Sequence, residues 1–490
     1  MKAEAWVPAA VYPLGMRRRL LPGLVVSGAL AAAALAPATS QATPAAGPAS
    51  TAAADETGGV TQATCFWFGP MGMQFPSSNL AYPDEGALYW GARFRLPPGS
   101  VLRLEGRYPH ARYMSMNSYG RVDGVEHAAV AALEDKDIEP NRGSTNPYRV
   151  GADRYPQNRS YTITVPAEDL GRRGPNFLDV PSTNDGAVQE LIYRVYLPDR
   201  GRDRGVRSLP RPVLTLADGR MLRGDDLCAT INDPQRYFTF QTMPAALYAA
   251  LVNTPGGDPT TNSAFSPARW EKFFNTPLAL SIFYVGTDLA ERRLQDLAIG
   301  VAGGYYDNRS VNYAVAPINA SFGDVLVLRG KLPTTPRTGP RVRTMGAGQM
   351  RYWSICQSTS PVETSTIDCL ADEQVRKVLD NDRRYTVVVS RREDRPTNAR
   401  PACNVAWLNW GDQWDTLGRR SGTLLLRNLA SDPSFDRSLQ KVGLDDIDVL
   451  GLRNRPEQRV MGAYQPTGEY VSTAQFERGG CTRGGVRGLG

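Results

Sequence analysis

The chain repeats one pattern of short apolar segments, and this repeat restricts its fold more than any other feature. "GSVLRLEGRYP" at 99–109 matches "GDVLVLRGKLP" at 323–333. "RSYTITVPAED" at 159–169 matches "RRYTVVVSRRED" at 383–394 with the same shift along the chain, and four further blocks keep the order. Ordered blocks of this kind indicate that one structural unit occurs twice.

The repeated segments have the composition of β-strands. Val, Ile, Leu, Tyr and Thr dominate "VLRLEGRY", "LIYRVYLP" and "RRYTVVVS", and several segments alternate apolar and polar residues. The 47 glycines and 37 prolines supply frequent turns, which suits sandwiches better than helical bundles. The sequence therefore predicts a mainly β protein with two tandem jelly-roll-like antiparallel β-sandwiches and a short helical connector.

The repeat also sets the expected domain boundaries. We expect a first β-sandwich over 61–234, a helical connector over 235–300, and a second β-sandwich with a Gly-rich tail over 301–490. Three segments of the connector have helical patterns or helix-end residues: "MPAALYAALVN" (243–253), "SPARWEKFF" (266–274) and "DLAERRLQDLAIG" (288–300).

The N-terminus has the pattern of an export signal. Arg17, Arg18 and Arg19 precede an apolar run that ends in small residues, which predicts a signal peptide over 1–42 and a disordered linker over 43–60. No later stretch offers about 18 uninterrupted apolar residues, so we expect a secreted protein without a stable membrane span. The pattern does not decide between general and twin-arginine export, or between Met1 and Met16 as the start.

The charge distribution argues against nucleic-acid binding. The formal charge of +7 falls after removal of the first 42 residues, which leaves 52 basic against 48 acidic residues. Arginines alternate with acids, as in "DRGRDRGVR", and this pattern is typical of an ion-paired surface rather than a basic stripe. The sequence gives no indication of oligomeric state.

The six cysteines are expected to form disulfides, because their number is even and the compartment is oxidising. Six cysteines allow 15 pairings, and the sequence does not choose among them. We favour Cys356–Cys369, since the short segment between them can form a hairpin-sized loop, together with Cys403–Cys481 and Cys65–Cys228. A zinc site is not expected, since there is no C-x2-C pair with a nearby histidine.

One motif series resembles a known bacterial family. Tyr352-Trp353-Ser354, Arg384-Tyr385-Thr386-Val387, Trp407-Leu408 and Leu426-Arg427 follow in the second half, and "LIYRVYLP" carries the last block in the first half. This series is similar to a domain of unknown function with the motifs W-S-x-T-x-Y, R-Y-x-I, N-W-L-P and L-R-x-Y-x-P. The chain also resembles uncharacterised secreted actinobacterial proteins over nearly all of its mature length. The resemblance implies a jelly-roll-like sandwich and export, and supplies no catalytic residues.

The two histidines of the chain, with nearby acids, are the candidates for catalysis. His110 lies between two strands in "YPHARYMSMNSYG", and His127 precedes an acidic stretch that includes Asp135. Histidine titrates nearest neutral pH, so His110, His127 and Asp135 could serve a hydrolase or a metal-assisted lyase. The alternatives are a His110 ring that hydrogen-bonds the adjacent loop and a solvated acidic loop after His127. Neither H-E-x-x-H nor G-x-S-x-G occurs.

Other arrangements of hydroxyl and carboxyl groups stay open. A Ser-His-Asp set could combine Ser115 or Ser118 with either histidine and Asp123 or Asp135. Paired carboxylates of the glycosidase kind need two acids across a cleft, which a sequence does not show. The acidic pairs at 134 with 137 and at 372 with 373 are the places to look for them.

A cluster of tryptophans is the candidate ligand platform. "AWLNWGDQWD" (406–415) contains five residues that could bind a ligand with flat faces: Trp407, Asn409, Trp410, Asp412 and Trp414. Tryptophans in sandwiches either fill the core or, when exposed, stack on sugars and apolar molecules. We therefore predict binding of a carbohydrate or small apolar ligand, at or between the domains and at the cell envelope, without a cofactor or metal. The rivals are the extracytoplasmic enzyme described above and a structural surface protein.

Overall fold

The chain folds mainly into strands, as its β-branched and aromatic composition predicts. The computed structural model describes residues 63–122, 125–167, 174–180, 187–199, 206, 208–239, 242–254, 256–262, 265–273, 283, 306–412, 415–443 and 456–481. In these ranges the first half contributes β1 (Phe68–Met71), β2 (Ala87–Phe94), β3 (Val101–Arg107), β4 (Ala111–Val122), β5 (Val125–Glu134), β6 (Ser160–Pro166), β7 (Gln189–Pro198), β8 (Arg211–Thr215) and β9 (Met221–Leu222).

The remaining strands and the helices follow along the chain. The strands are β10 (Glu271–Lys272), β11 (Val311–Asn319), β12 (Val325–Lys331), β13 (Met350–Ser358), β14 (Thr366–Ala371), β15 (Arg384–Ser390), β16 (Val405–Asn409), β17 (Ser421–Ser431) and β18 (Thr467–Val471). The α-helices in the described ranges are short: α1 (Gly224–Ile231), α2 (Ala245–Val252), α3 (Asp372–Val375), α4 (Pro456–Met461) and α5 (Thr473–Arg478). None of the helices in these ranges is long and apolar enough to cross a membrane.

Four sheets form two sandwiches of matching topology. The larger sheet of the first half has the order β1-β2-β7-β4-β5, and that of the second half has the order β10-β11-β17-β13-β14. The smaller sheets have the orders β6-β3-β8-β9 and β16-β15-β12-β18. Apolar side chains of each larger sheet pack against those of its smaller partner in a continuous core. The predicted fold of two β-sandwiches is confirmed.

The pairing of β3 with β6 repeats in β12 and β15 with the shift that two of the aligned sequence blocks share. Leu104 lies opposite Ile163 in the first half, and Leu328 lies opposite Val387 in the second. One feature differs from the expected antiparallel sheets, because β15 and β16 are parallel. The first half retains a trace of this pair as a parallel bridge between Thr164 and Phe177.

The connector has less helix than its sequence predicts. The helix predicted at 243–253 is confirmed as α2. The helix predicted at 266–274 is wrong: residues 265–268 form turns, and β10 pairs with β11. Trp270 and Ala268 are buried in the core of the second sandwich, and this packing outweighs local helix propensity. The helix predicted at 288–300 and the predicted leader and linker (1–60) lie outside the described residues.

All three expected disulfides are confirmed. Cys356 and Cys369 join directly opposite residues of β13 and β14. Cys65–Cys228 ties the start of the first sandwich to α1, and Cys403–Cys481 ties the region after β15 to the chain beyond α5. Each bond closes a loop in the unfolded chain and so lowers its entropy.

Two ion pairs cross between the sandwiches in a reciprocal way. Arg112 at the start of β4 binds Asp372 with its Nη1 at 2.6 and 2.8 Å from the two carboxylate oxygens. Arg351 in β13 lies 3.5 Å from Asp135, which follows β5. Arg351 is the repeat equivalent of Arg112, and Asp135 is the equivalent of Asp372. The two halves therefore contact each other across a pseudo-two-fold axis.

An apolar cluster on the same seam has matched members from both halves. Its buried residues come from equivalent strands: Ala87, Tyr113 and Tyr196 from the first half, and Val311, Tyr352 and Leu429 from the second. The rings of Tyr196 and Tyr352 meet edge to face, with centroids 5.2 Å apart. The seam is thus packed like a domain core, with its charges paired inside it.

The Arg112→Met variant tests whether the seam stabilises the whole chain. The side chains of Arg112 and Asp372 are both fully buried. Loss of Arg112 leaves the Asp372 carboxylate with Arg376, at 2.6 Å, as its remaining charged partner. We expect the free energy of unfolding in guanidinium to fall by about 3 kcal/mol, the lower end of the cost of removing one partner of a buried pair.

The matched control is Arg329→Met, which removes a half-exposed pair with Glu469. It should cost less than about 1 kcal/mol. Equal effects of the two substitutions would show that the seam pair contributes no more than a surface pair.

Candidate functional site

The structure separates the three residues predicted to be catalytic. His110 directly precedes β4, whereas His127 lies near the start of β5, which pairs with the far end of β4. About ten strand residues therefore separate the two rings, or roughly 30 Å at the usual rise per residue. Asp135 follows the other end of β5, away from His127. The three residues do not form one site.

His110 is held by an arginine. Arg159 Nη1 lies 2.7 Å from His110 Nδ1, and Arg159 also donates to the carbonyl oxygens of Pro109 and Arg154. The imidazole stacks on Tyr155 with centroids 5.0 Å apart. Because a guanidinium only donates, the ring nitrogen that faces it accepts. This environment fixes the loop before β4.

Asp135 belongs to the seam. Its Oδ2 accepts from the backbone N–H of Met114 at 3.2 Å, and its other oxygen faces Arg351. Burial raises the pKa of Asp135 to about 7, although Arg351 lowers it. Two of the acids considered as a glycosidase pair, Asp372 and Glu373, both bind Arg112 at the equivalent place.

The tryptophan segment does not form an exposed platform in the described residues. Trp410 is 4% exposed and belongs to the core of the second sandwich, where its ring lies near that of Tyr470. It fills the core and does not present a face to a ligand, contrary to the prediction. Trp407 donates to Ser390 Oγ, and Arg395 lies 4.3 Å above its ring. Trp414 lies outside the described residues.

The two polar residues of that segment have structural contacts. The backbone N–H of Asn409 donates to Asp368 Oδ2 at 2.7 Å, and its side-chain oxygen accepts from the N–H of Gly411. Asp412 is exposed, and Arg391 lies 3.9 Å from it. These contacts shape the turn after β16.

His127 lies in a different kind of environment, which we call the His127 site: His127, Glu190, Tyr306, Arg93 and Thr239. Glu190 Oε2 and Tyr306 Oη each lie 2.9 Å from His127 Nδ1. On the other side of the ring, Thr239 Oγ1 lies 3.3 Å from Nε2. The imidazole is thus held through one nitrogen, with the other directed at an exposed hydroxyl.

The carboxylate of this site is fixed from both sides. Glu190 is 4% exposed on β7, and its Oε1 accepts from Arg93 Nε at 3.2 Å. Arg93 on β2 is itself held by Asp233, 2.5 Å from its Nη1. Glu190, paired with Arg93, is a carboxylate and only accepts hydrogen bonds. The neighbouring Nδ1 of His127 must therefore donate and carry a proton, so in the neutral imidazole Nε2 is the basic nitrogen.

Tyr306 enters the site from the segment that leads into the second sandwich. Buried Arg194 donates to the carbonyl oxygen of Tyr306 at 2.6 Å, and the Tyr306 ring stacks on His127 with centroids 4.8 Å apart. Burial and the neighbouring Glu190 raise the pKa of Tyr306 well above its usual range, so its hydroxyl stays protonated. That hydroxyl donates to the carbonyl oxygen of Thr239 at 3.2 Å.

The backbone of the site occurs twice, but its chemistry occurs once. His127 and Tyr306 have φ angles of 56° and 53°, and their repeat equivalents Thr364 and Tyr82 have 54° and 53°. Strand registers make Thr423 the equivalent of Glu190. The second copy therefore keeps an unusual backbone, in a region that non-glycine residues rarely adopt, without histidine or glutamate. The fold does not need these two side chains.

The same comparison extends to Arg93. Arg93 lies opposite Glu190 on the neighbouring strand, and Pro317 lies opposite Thr423 in the second copy. A carboxylate, an imidazole and a guanidinium are thus replaced together by two threonines and a proline. Linked replacement of three contacting groups indicates that they act as a set.

A run of aromatic rings leads from the His127 site to the surface. Phe238 stacks on Tyr306 with centroids 4.6 Å apart, and Phe68 contacts both Phe238 and Tyr237 edge to face. Tyr237 is 63% exposed. The run thus reaches the surface at Tyr237 and the half-buried Phe238, whereas Phe68 and Tyr306 are buried.

The described residues give no support to a thiolate metal site. Asp84, Cys356 and Cys369 lie close enough for their ligand atoms to surround an ion. Both sulfurs, however, are in one disulfide and are not thiolates. Asp84 instead accepts hydrogen bonds from Tyr352 and Ser354.

Comparisons with known proteins find similar structures but no sequence relative. No family model matches the chain, and no curated protein matches it. An uncharacterised protein from Burkholderia cenocepacia has a similar structure over 84% of this chain and 82% of its own, with 16% identity and a TM-score of 0.40. The VPA0106 protein from Vibrio parahaemolyticus is similar over 80% and 90%, with 13% identity and a TM-score of 0.36.

The raised pKa of Asp135 predicts a pH-dependent stability. The folded state binds a proton on Asp135 more tightly than the unfolded state does, since the ordinary value is 3.8. The corresponding stability is fully present below about pH 4 and is lost as pH rises through about 7, with a slope of at most about 1.4 kcal/mol per pH unit.

We expect Asp135→Asn to flatten the dependence of the free energy of unfolding on pH between 5 and 8, measured by urea titration. The substitution leaves the neighbouring carboxylate of Glu134 in place, so the change in slope reports the titration of Asp135. An unchanged slope would show that Asp135 is ionised in the folded protein throughout that range.

Proposed function

We propose that the protein is an exported hydrolase whose acid–base group is the imidazole of His127, oriented by Glu190. The observation that carries this proposal is the difference between the two copies of one backbone site. His127, Glu190 and Arg93 form a contacting set in one copy, and uncharged residues replace all three in the other. Because the second copy keeps this backbone without these side chains, we assign them a chemical rather than a structural role.

The geometry supports acid–base catalysis rather than structural use of the histidine. A histidine whose Nδ1 donates to a buried carboxylate presents Nε2 as the nitrogen that takes and returns a proton. The side chain of His127 is 24% exposed, so Nε2 can meet a bound molecule. His110, in contrast, has its Nδ1 occupied by a permanent cation.

Export is supported by the covalent structure and by the sequence pattern. Three disulfides connect the described part of the chain, and such bonds persist in oxidising compartments. The basic and apolar segments of residues 1–42 have the order of an export signal. We therefore propose that the protein acts outside the cytoplasm.

The alternative functions have weaker support. A carbohydrate or apolar ligand bound by the tryptophan segment would need exposed rings, and Trp410 is in the core. A purely structural surface protein would give no reason for the oriented His127–Glu190 pair. A small apolar ligand remains compatible with the aromatic run beside His127, where it would be part of a substrate.

Substitution of the two catalytic candidates tests the proposed function. The protein is collected from the culture medium, where its first residue is expected near position 43, and assayed on chromogenic esters, glycosides, phosphoesters and anilides. We expect hydrolysis of one class, and a fall in kcat of about 10²-fold or more in His127→Gln and Glu190→Gln, because general base catalysis contributes that much.

His110→Gln is the matched control and should keep the wild-type rate. All three variants should have similar far-UV circular dichroism. Hydrolysis that persists in His127→Gln, or its absence from the wild-type protein in every class, would refute the proposal.

A further inference from the structure

The geometry points to Thr239 as the nucleophile of the His127 site and to carboxylic esters with an apolar or aromatic group as its substrates. This inference rests on the proposed function and assigns it a covalent mechanism. It uses the one hydroxyl that the structure places against the basic nitrogen of His127 in the described residues.

Three groups stand in the order that nucleophilic catalysis needs. Thr239 Oγ1 lies 3.3 Å from Nε2 of His127, and Glu190 Oε2 lies 2.9 Å from Nδ1. A hydroxyl, an imidazole and a buried carboxylate in this order are recognised by geometry rather than by sequence position. The three residues lie far apart in the sequence, so no short motif reveals them.

Thr239 is both accessible and fixed in place. It is exposed, while its carbonyl oxygen accepts from the protonated hydroxyl of Tyr306 at 3.2 Å. Tyr306 is in turn held by Arg194 through its own carbonyl oxygen. A nucleophile must be presented to solvent on a positioned backbone, and these contacts provide both conditions.

The carboxyl groups argue against a glycosidase mechanism at this site. Glycosidases use two acids that flank the scissile bond, commonly about 5–9.5 Å apart. Glu190 is buried, and its two oxygens face Arg93 and His127. Both of its oxygens are thus engaged in holding the imidazole and Arg93, and the exposed Thr239 hydroxyl is the group positioned to attack an acyl carbon.

The aromatic run indicates the substrate's apolar part. Tyr237 is exposed and lies two residues before Thr239, and buried Phe68 connects it to the half-buried ring of Phe238 beside Tyr306. Flat or aliphatic groups bury well against such rings. An ester with a short acyl chain or an aromatic alcohol fits this surface.

Hydrolysis of the ester through an acyl-threonine needs water as its only co-reactant. Oγ1 of Thr239 forms a bond to the ester carbonyl carbon while its proton passes to His127 Nε2. The carbon–oxygen bond to the alcohol then breaks, and Nε2 returns the proton to the leaving alkoxide. Water attacks the acyl-threonine with His127 again as base, which releases the acid and restores the hydroxyl.

Covalent labelling with a biotinylated ethyl fluorophosphonate tests the nucleophile directly. The probe phosphonylates an activated hydroxyl with loss of fluoride, and peptide mass spectrometry locates the adduct. We expect the adduct at position 239 in the wild-type protein and in Thr239→Ser. We expect no adduct in Thr239→Ala or His127→Gln. Hydrolysis of p-nitrophenyl butyrate should follow the same order.

Thr230→Ala, at an exposed threonine of α1, is the matched control and should label and hydrolyse as the wild-type protein does. If Thr239→Ala hydrolyses the ester normally while His127→Gln does not, water is the nucleophile: the inference falls and the proposed hydrolase stands. If His127→Gln is also active, both fall. A wild-type protein that neither labels nor hydrolyses the ester overturns the inference.

Discussion

The burial of two arginine side chains in the larger sheets ties the whole molecule together. Arg194 and Arg427 occupy equivalent positions in β7 and β17, and a charged guanidinium inside a sheet is tolerated only with acceptors around it. Each guanidinium has an acceptor in the opposite half. Arg194 donates to the carbonyl oxygen of Tyr306, and Arg427 donates to the carbonyl oxygen of Tyr82. Each sandwich therefore needs the segment that leads into the other.

This reciprocity has a functional consequence because Tyr306 is also part of the His127 site. The contact that satisfies Arg194 places the Tyr306 ring on the imidazole and its hydroxyl on Thr239. The site thus combines β5 and β7 of the first half, the chain after α1, and the lead-in of the second half. In the second copy the same backbone surrounds Thr364, and its uncharged side chains suit a structural role.

Sequence patterns predict those parts of the structure that depend on local or repeated order. The shift of 224 residues shared by two aligned blocks corresponds to the matching registers Leu104–Ile163 and Leu328–Val387. The hairpin spacing of Cys356 and Cys369 is likewise local. The helix expected at 266–274 fails because Trp270 gains more from the core than from helical hydrogen bonds.

The site was only partly predictable, because its contacts join distant segments. His127 is recognisable as one of two histidines, but Glu190, Tyr306 and Thr239 lie 63, 179 and 112 residues from it. Extending the aligned block around Asp135 and Asp372 back to His127 would have shown threonine in the second copy. Trp410 was predicted to bind a ligand but lies in the core. The sequence around a tryptophan in a strand does not distinguish a buried ring from an exposed one.

Catalysis at the His127 site requires that Glu190 hold a proton on Nδ1 and leave Nε2 basic, and nitrogen-15 NMR of the histidine side chains measures this tautomer directly. The chain has two histidines, so the spectrum of His110→Gln isolates the signals of His127. We expect the neutral imidazole of His127 to carry its proton on Nδ1, and Glu190→Gln to remove this preference. A proton on Nε2 of the neutral imidazole, or a spectrum that Glu190→Gln leaves unchanged, would show that Glu190 does not orient the ring.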